Sequence, residues 1–195
     1  MGKDIWFSSD HHFRHTNTWA LFKNPDGTPL RPFSSTKEMD ERMIEEHNKL
    51  VRPQDSWYCL GDISMMRPRF VREQLNALNG HKRLVRGNHD IYKTKEYLEF
   101  FEEIYGMRYI DGICFSHFPI HPASVGRYKA VAHGHIHTGP ELPPVVITEQ
   151  EGKQHVCPFI NLTVEHTDYK PVNLDELKQR IDRITRAVSG SGMAL

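Results

Sequence analysis

"GDISMMRPRFVREQLNALNGHKRLVRGNHD", residues 61–90, places Gly-Asp at one end and Gly-Asn-His-Asp at the other, with a helix-like stretch and a short apolar run between. Residues 57–60 read as a buried strand emptying into Gly61-Asp62, and residues 82–85 as another ending at Gly87-Asn88-His89-Asp90. Between them, residues 69–78 put Phe70, Val71, Leu75 and Leu78 on one side of a helix. This strand, helix, strand order is the unit of an α/β domain with a parallel sheet.

Outward from this stretch the alternation continues. Residues 3–9 begin with an apolar run and end in "SSDHH", a first strand opening into a polar loop. "STKEMDERMIEEHNKLV" (35–51) offers Ser35 or Thr36 as a helix cap, with Met39, Met43, Ile44, His47 and Leu50 or Val51 at helical spacing. Downstream, residues 108–110 and 113–116 read as a hairpin about Asp111-Gly112. Residues 130–132 form a further strand before "HGHIH". A β-ribbon is expected from 145–148 and 155–160 about Glu151-Gly152, followed by a helix starting near Asn173, with Glu176 three residues on. The expectation is one domain over residues 1–188 and a disordered tail at 189–195.

Composition narrows the class. A chain of 195 residues suits a single core. Lys+Arg and Asp+Glu balance at 25 each, so the summed charge predicts no long-range field for a nucleic-acid backbone. Cys59, Cys114 and Cys157 are an odd number without zinc-type spacing, which points to a reducing compartment. No apolar run is long enough to span a membrane and the N-terminus has no signal-peptide pattern, so the expected location is the cytoplasm. The 13 histidines stand out, and six of them fall in short polar clusters, with His133 just ahead of the last.

Those clusters follow apolar strands: Asp10-His11-His12, Gly61-Asp62, Gly87-Asn88-His89, Ser116-His117 and Gly134-His135-Ile136-His137. In open α/β sheets the carboxyl ends of strands form the ligand crevice, so the five can converge. Carboxylates, imidazoles and one amide oxygen, with no thiolate, suit Mn²⁺, Fe²⁺, Zn²⁺, Ni²⁺ or Co²⁺ rather than Ca²⁺. So many ligands imply two ions with Asp62 as the bridge. Alternation along extended segments is expected to turn His135 with His137, and Asp10 with His12, to one side.

Asp10-x-His12, Gly61-Asp62, Gly87-Asn88-His89-Asp90, His117 and Gly134-His135-x-His137, in that order, resemble the calcineurin-like metallophosphoesterase superfamily. "DHHFRHTN", "RPF", "KEMDERMIEEHNKLVRPQDSWYCLGD" and "INLTVEHTDYKPVNLDEL" look like a subgroup of small bacterial and phage phosphoesterases, and extend the resemblance to about Leu177. It implies an α/β fold in four layers, a two-sheet sandwich flanked by helices, that hydrolyses phosphomonoesters or phosphodiesters at a two-metal centre. Carried over, Asp10, His12, Asp62 and His137 hold one ion and Asp62, Asn88, His117 and His135 the other. Mn²⁺ is the first choice. Hydroxide from activated water is the expected nucleophile, and His89 is expected to touch the phosphate and assist the leaving oxygen.

Plainer roles compete. His47, His81, His155 and His166 read as surface or satisfied core residues. Arg14, His15 and Arg86 lie beside motif residues and are candidate substrate contacts, against ordinary loop roles. Residues 17–36, with Trp19, Phe22 and "RPF", either overhang the crevice or pack beneath a loop. Leu174, Leu177, Ile181, Ile184 and Val188 form a stripe that favours packing on the protein's own sheet over dimerisation. Many relatives have an acid or amide three residues after the Gly-Asp aspartate, where it orients the catalytic histidine; this chain has Met65, and Asp90 reads as a turn cap. The leading expectation is a phosphodiesterase on a small-molecule or nucleotide-like phosphoester, monomer or homodimer. A nuclease with the same centre and a non-catalytic interaction module are the alternatives.

Overall fold

The computed structural model describes residues 2–148 and 154–190. Eleven strands are described: β1 (Ile5–Ser8), β2 (Ser56–Cys59), β3 (His81–Val85), β4 (Glu103–Tyr105), β5 (Met107–Ile110), β6 (Ile113–Ser116), β7 (Ala130–His133), β8 (Val145–Thr148), β9 (Gln154–Cys157), β10 (Phe159–Asn161) and β11 (Val172–Asn173). The helices are α1 (Asn17–Ala20), α2 (Thr36–Leu50), α3 (Arg72–Ala77), α4 (Thr94–Tyr97) and α5 (Leu174–Gly190). The fold is mixed α/β. One sheet runs β11-β1-β2-β3-β4, a second β10-β7-β6-β5, and β8-β9 form a separate ribbon.

The strands β1 to β4 are parallel, as are β6, β7 and β10. The short apolar sequences of β1, β2, β6, β7 and β10 are explained by burial on both faces. In β2 and the residue after it, Tyr58 and Leu60 face one core while Trp57 and Cys59 face another; in β6, Ile113 and Phe115 face inward and Cys114 outward. The inner core joins the two sheets, with Phe7 stacked on Phe115 at a 4.0 Å ring separation. The second core lies where α2, α3 and α4 pack on the first sheet, through Met39, Met43, Leu75 and Tyr97 against Trp57 and Leu84. Outside the second sheet, Cys114, Val131 and Phe159 pack with Val125 and Cys157, and with Val145 and Ile147 of β8. Among the described residues no α-helix contributes to that cluster, and the helical cover expected on both flanks is seen on the first sheet.

Several local expectations are met. Ser35 caps α2, its side chain accepting from Glu38 N, and Glu38 in turn accepts from Ser34 N. Asp111 and Gly112 both have positive φ, at 51° and 90°, as the tight turn between antiparallel β5 and β6 requires. Asn173 Oδ1 accepts from Asp175 N at the start of α5, and Leu174, Leu177 and Ile181 enter the inner core with Ile184 packed against it. The stripe thus packs inside the molecule.

Others are corrected. The helix expected over 69–78 is a 3₁₀ turn (Pro68–Val71) followed by α3, with Phe70 left exposed. The run 155–160 divides at Pro158 between two sheets, because the carbonyl of Pro158 pairs with Val131 N. The Glu151-Gly152 turn lies outside the described residues. Of the tail, Ser189 and Gly190 are helical in α5, and 191–195 lie outside the described residues. Short, half-exposed β4, α1 and α4 carry no clear periodicity and were not anticipated. Among the described residues no helix is long and apolar enough to cross a membrane.

Candidate metal centre

The parallel strands end on one side, and their following loops are stitched together by backbone hydrogen bonds. Asp10 N donates to Gly61 O, His12 N to Asp62 O, Phe13 N to Ile63 O, and Gly134 N to His117 O, all at 2.9–3.1 Å. The approach is close enough to exclude side chains at two glycines. A Cβ on Gly87 would lie 2.1 Å from Asp62 Oδ1, and one on Gly134 would lie 2.0 Å from Ser9 Oγ and 2.3 Å from Asp10 Oδ2. Asp10, His12, Arg14, Asp62 and His135 all have φ between 49° and 68°. Such backbone is uncommon for these residues and persists where the surroundings impose it, often at functional sites. These side chains are aimed by left-handed turns rather than by the expected extended alternation; Asp10 and His12 still fall in one group, and His135 and His137 fall in the two different groups expected of them.

Two groups of possible ligands result, Asp10 with His12 and His137, and Asp62 with His117 and His135; within each, the ligand atoms lie within 4.8 Å of one another. Asn88 joins the second, its Oδ1 2.9 Å from His117 Nε2. Asp62 stands between the groups, with Oδ2 3.7 Å from His12 Nε2 and 3.5 Å from His117 Nε2. All seven expected ligands are thus gathered.

Each carboxylate has one oxygen fixed by the protein and the other directed at imidazoles. Asp10 Oδ2 accepts from Ser9 Oγ (2.5 Å) and His135 N (2.9 Å), while Oδ1 is buried without a hydrogen-bond partner and lies 3.3 Å from His137 Nε2. Asp62 Oδ1 accepts from His89 N at 2.8 Å. The imidazoles are fixed from behind. His117 Nδ1 donates to Leu60 O at 2.9 Å, so in the neutral ring Nε2 is a lone pair facing the oxygens of Asn88 and Asp62. His137 Nδ1 lies 3.0 Å from Glu165 Oε1 while its Nε2 faces Asp10. Lone pairs and oxygens facing each other in a buried space are complementary to a cation, and the residues fit a pair of divalent ions on that ground.

Electrostatics divide the histidines. Burial opposes charge on His137, yet the Asp10 and Glu165 carboxylates on its two nitrogens raise it to about 10. Burial works against the Asp10 carboxylate, which His137 nevertheless holds below the usual range. Burial pushes Asp62 up, opposed by the neighbouring His117. Desolvation lowers His12, His135 and His15, keeping neutral imidazoles available as ligands.

His89 stands at the open rim, with 39% of its side chain exposed, Nε2 3.9 Å from Asp62 Oδ2 and its ring 5.5 Å from His12. Asp90 is the turn cap expected of it: its carboxylate accepts from Asp62 N and Gly87 N at 2.8 Å and from Ile63 N at 3.3 Å. His15 lies beside His12, ring centroids 5.5 Å apart. Arg86 differs from expectation. Its guanidinium donates to the carbonyls of Asp90 and Tyr92 and lies over the Tyr97 ring, so it braces the loop rather than offering donors to a phosphate. Arg14 gives Nη1 to Phe70 O and lines a pocket beside the centre. His81 and His155 are satisfied by Glu102 and Tyr128 O, in keeping with their plain reading, and His47 is a core residue that gives Nε2 to Asn79 O while its Nδ1 is buried without a hydrogen-bond partner.

Glu165 and Arg31 are the residues that spacing did not reveal. Arg31 is fully buried, giving Nε to Glu165 Oε1 (2.7 Å), Nη1 to His11 O (2.7 Å) and Nη2 to Asp10 O (2.6 Å). Both fall within the family-like text "RPF" and "INLTVEHTDYK", the one available signal. A cavity of about 1020 Å³ opens beside His137 and Glu165, walled by Pro25, Pro29, Leu30 and Tyr169, and its lining carries Asp26 and Asp168 but no lysine or arginine.

No family model matches the chain. A structure of the protein of unknown function AQ665 from Aquifex aeolicus is 27% identical, with a TM-score of 0.63 over 92% of this chain and 100% of that one. A conserved uncharacterized protein from Streptococcus pneumoniae TIGR4, described as a predicted phosphoesterase, is 18% identical with a TM-score of 0.37 over 83% of this chain and 72% of that one, too loose a superposition to bear on the site. The uncharacterized protein MJ1445 of Methanocaldococcus jannaschii is 32% identical over 183 residues, covering 93% of each chain. A match at that identity over nearly the whole of both chains is one of common descent, and the chain belongs to the family of this archaeal protein.

Proposed function

We propose that the protein is a two-metal-dependent phosphodiesterase acting on a small or nucleotide-like substrate, on a sandwich of the calcineurin-like metallophosphoesterase type. The observation that carries this reading is the pair of acid and imidazole groups with Asp62 between them. Two divalent ions, with Mn²⁺ the first choice among Mn²⁺, Fe²⁺, Ni²⁺, Zn²⁺ and Co²⁺, would supply Lewis acidity and lower the pKa of a water toward about 7.

The chain's own part is orientation and charge. Asp10, His12, Asp62 and His137 would hold one ion, and Asp62, Asn88, His117 and His135 the other. Leu60 O and Glu165 fix the ring orientations of His117 and His137. Asp10 and Asp62 offset only part of the ionic charge, which leaves the centre attractive to an anionic phosphoester. His89 gives a proton to the departing oxygen in this reading, which its position at the rim, 3.9 Å from Asp62 Oδ2, supports. Three free, buried cysteines support a cytoplasmic setting.

The test is hydrolysis of bis-p-nitrophenyl phosphate and p-nitrophenyl phosphate by metal-stripped protein, with each ion restored in turn. Diester cleavage restored by Mn²⁺ or Ni²⁺ is the expected result. Two ions bound per chain with no turnover of either ester would overturn the proposal.

A further inference from the structure

Exposed apolar side chains gather on one flank of the centre. Met65 and Met66 are 40% exposed, Phe70 51% and Ile91 73%. With Arg14, Arg67 and Tyr92, the two methionines and Phe70 line a pocket of about 460 Å³, within the usual range for small-molecule sites. An apolar patch of this kind, left open beside a polar centre, marks a binding surface more often than a packing fault.

Its position ties it to the centre. Arg14 is two residues beyond His12, Met65 three beyond Asp62, and Tyr92 three beyond His89. Three residues of chain reach at most about 11 Å, so the same three loops that carry ligands and the rim histidine carry the pocket walls. The walls are joined: Arg14 Nη1 donates to Phe70 O at 2.9 Å, Tyr92 Oη donates to Met65 O at 3.4 Å, and the Arg67 guanidinium sits 4.9 Å from the centre of the Tyr92 ring. Arg14 itself takes the left-handed backbone (φ 62°).

From this we infer that the pocket is the subsite for the organic arm of the substrate on the His89 side, and that it takes a flat, largely apolar group the size of an aromatic ring or nucleobase. The inference rests on the phosphoesterase reading for the chemistry but not for the binding. Two methionines give an adaptable apolar floor, Phe70 and Tyr92 offer the ring faces that Arg69 and Arg67 leave uncovered, and Arg14 and the Glu96-paired Arg67 border the pocket with planar guanidinium groups. Met65 therefore has a role in place of the acid that many similar sequences carry there: it forms a wall for the substrate. The larger cavity near His137 lacks arginine and lysine and shares none of these residues.

Competitive inhibition of bis-p-nitrophenyl phosphate hydrolysis separates the arm from the phosphate. With Mn²⁺-loaded protein, 1-naphthyl phosphate should inhibit about tenfold or more tightly than methyl phosphate. In Phe70→Ser and Met65→Ser, whose side chains are exposed and not needed for the core, that advantage should shrink toward one while methyl phosphate is unaffected. Equal inhibition by the two esters in the wild type, or an equal loss for both in the variants, would overturn the subsite. Methionine-methyl NMR tests it without turnover. 1-Naphthyl phosphate should move the Met65 and Met66 resonances where inorganic phosphate does not, and their insensitivity to the naphthyl ester would likewise overturn it. Absence of hydrolysis alongside those shifts would fail the catalytic reading and leave the subsite standing.

Discussion

At the scale of single residues, the centre divides into groups that hold and groups that act. Asp62→Asn removes the charge that both ligand groups share, so it should abolish turnover and weaken binding of both ions, read by activity and metal content; full activity would remove it from the bridging place. His89 touches no partner that the ligands need except through its backbone N–H. His89→Ala should keep two ions while the rate falls by roughly 10² or more, the scale of general acid catalysis. Glu165→Gln is the sharper case, since Gln still accepts from His137 but leaves the buried Arg31 without a counter-charge. Removing one partner of a buried pair costs about 3–5 kcal/mol. Exchanging the charged outer partner of a metal-binding histidine for a neutral acceptor makes the ring a weaker base, and changes at such outer partners lower affinity by about 10–100-fold. Urea unfolding and a metal-competition titration measure the two effects, and wild-type values in both would contradict the role assigned to Glu165. The ligands were legible because they lie at strand ends in a recognisable order. Glu165 was not, because it lies 28 residues from His137 in sequence and its partner Arg31 comes from a loop without periodicity.

At the scale of elements, the strand-end loops meet where glycine allows it. In Gly134→Ala, the new methyl would meet Ser9 Oγ and Asp10 Oδ2, both fixed by hydrogen bonds. The expected cost is about 1–3 kcal/mol of overpacking with impaired binding at the Asp10 group. Gly106→Ala, at a glycine with nothing within 4 Å, is the control and should change stability by no more than about 0.5 kcal/mol. Equal behaviour of the two variants in unfolding and metal content would show that the close approach has no consequence. Strands and α2 were readable from apolar runs and a cap signal, whereas the left-handed turns were not. Asp10, His12 and Asp62 have no conformational signature in sequence, and their φ values are imposed by long-range pairing between loops. For the same reason the 69–78 helix was misjudged. Pro68 starts a tight turn, and Phe70 faces outward although its spacing matches the buried stripe.

At the scale of the whole molecule, stability should depend on pH through a histidine that belongs to neither ligand group. His47 sits on α2 against Trp57, with Nε2 3.0 Å from Asn79 O, and burial lowers it to about 4. A histidine that resists protonation in the fold contributes stability above its unfolded value, near 6.5, and loses it as pH falls from there toward about 4. Burial raises Asp40 and Asp90 to about 6, so they act in the opposite sense in an overlapping window. The difference between wild type and His47→Gln isolates the histidine: the wild type should lose up to about 1.4 kcal/mol more per pH unit between 6.5 and 4. Parallel urea-derived stability curves would exclude it.

The centre also straddles the two sheets. Loops of the first, from residues before 106, bring Asp10, His12, Asp62 and Asn88; loops of the second bring His117, His135 and His137. Neither ligand group is complete on one side, so a growing chain that has emerged only through β4 possesses every acid of the two groups and cannot yet close either. On the proposed reading, ions would be gained only once the second sheet has docked, and would from then on clasp together two halves made at different times.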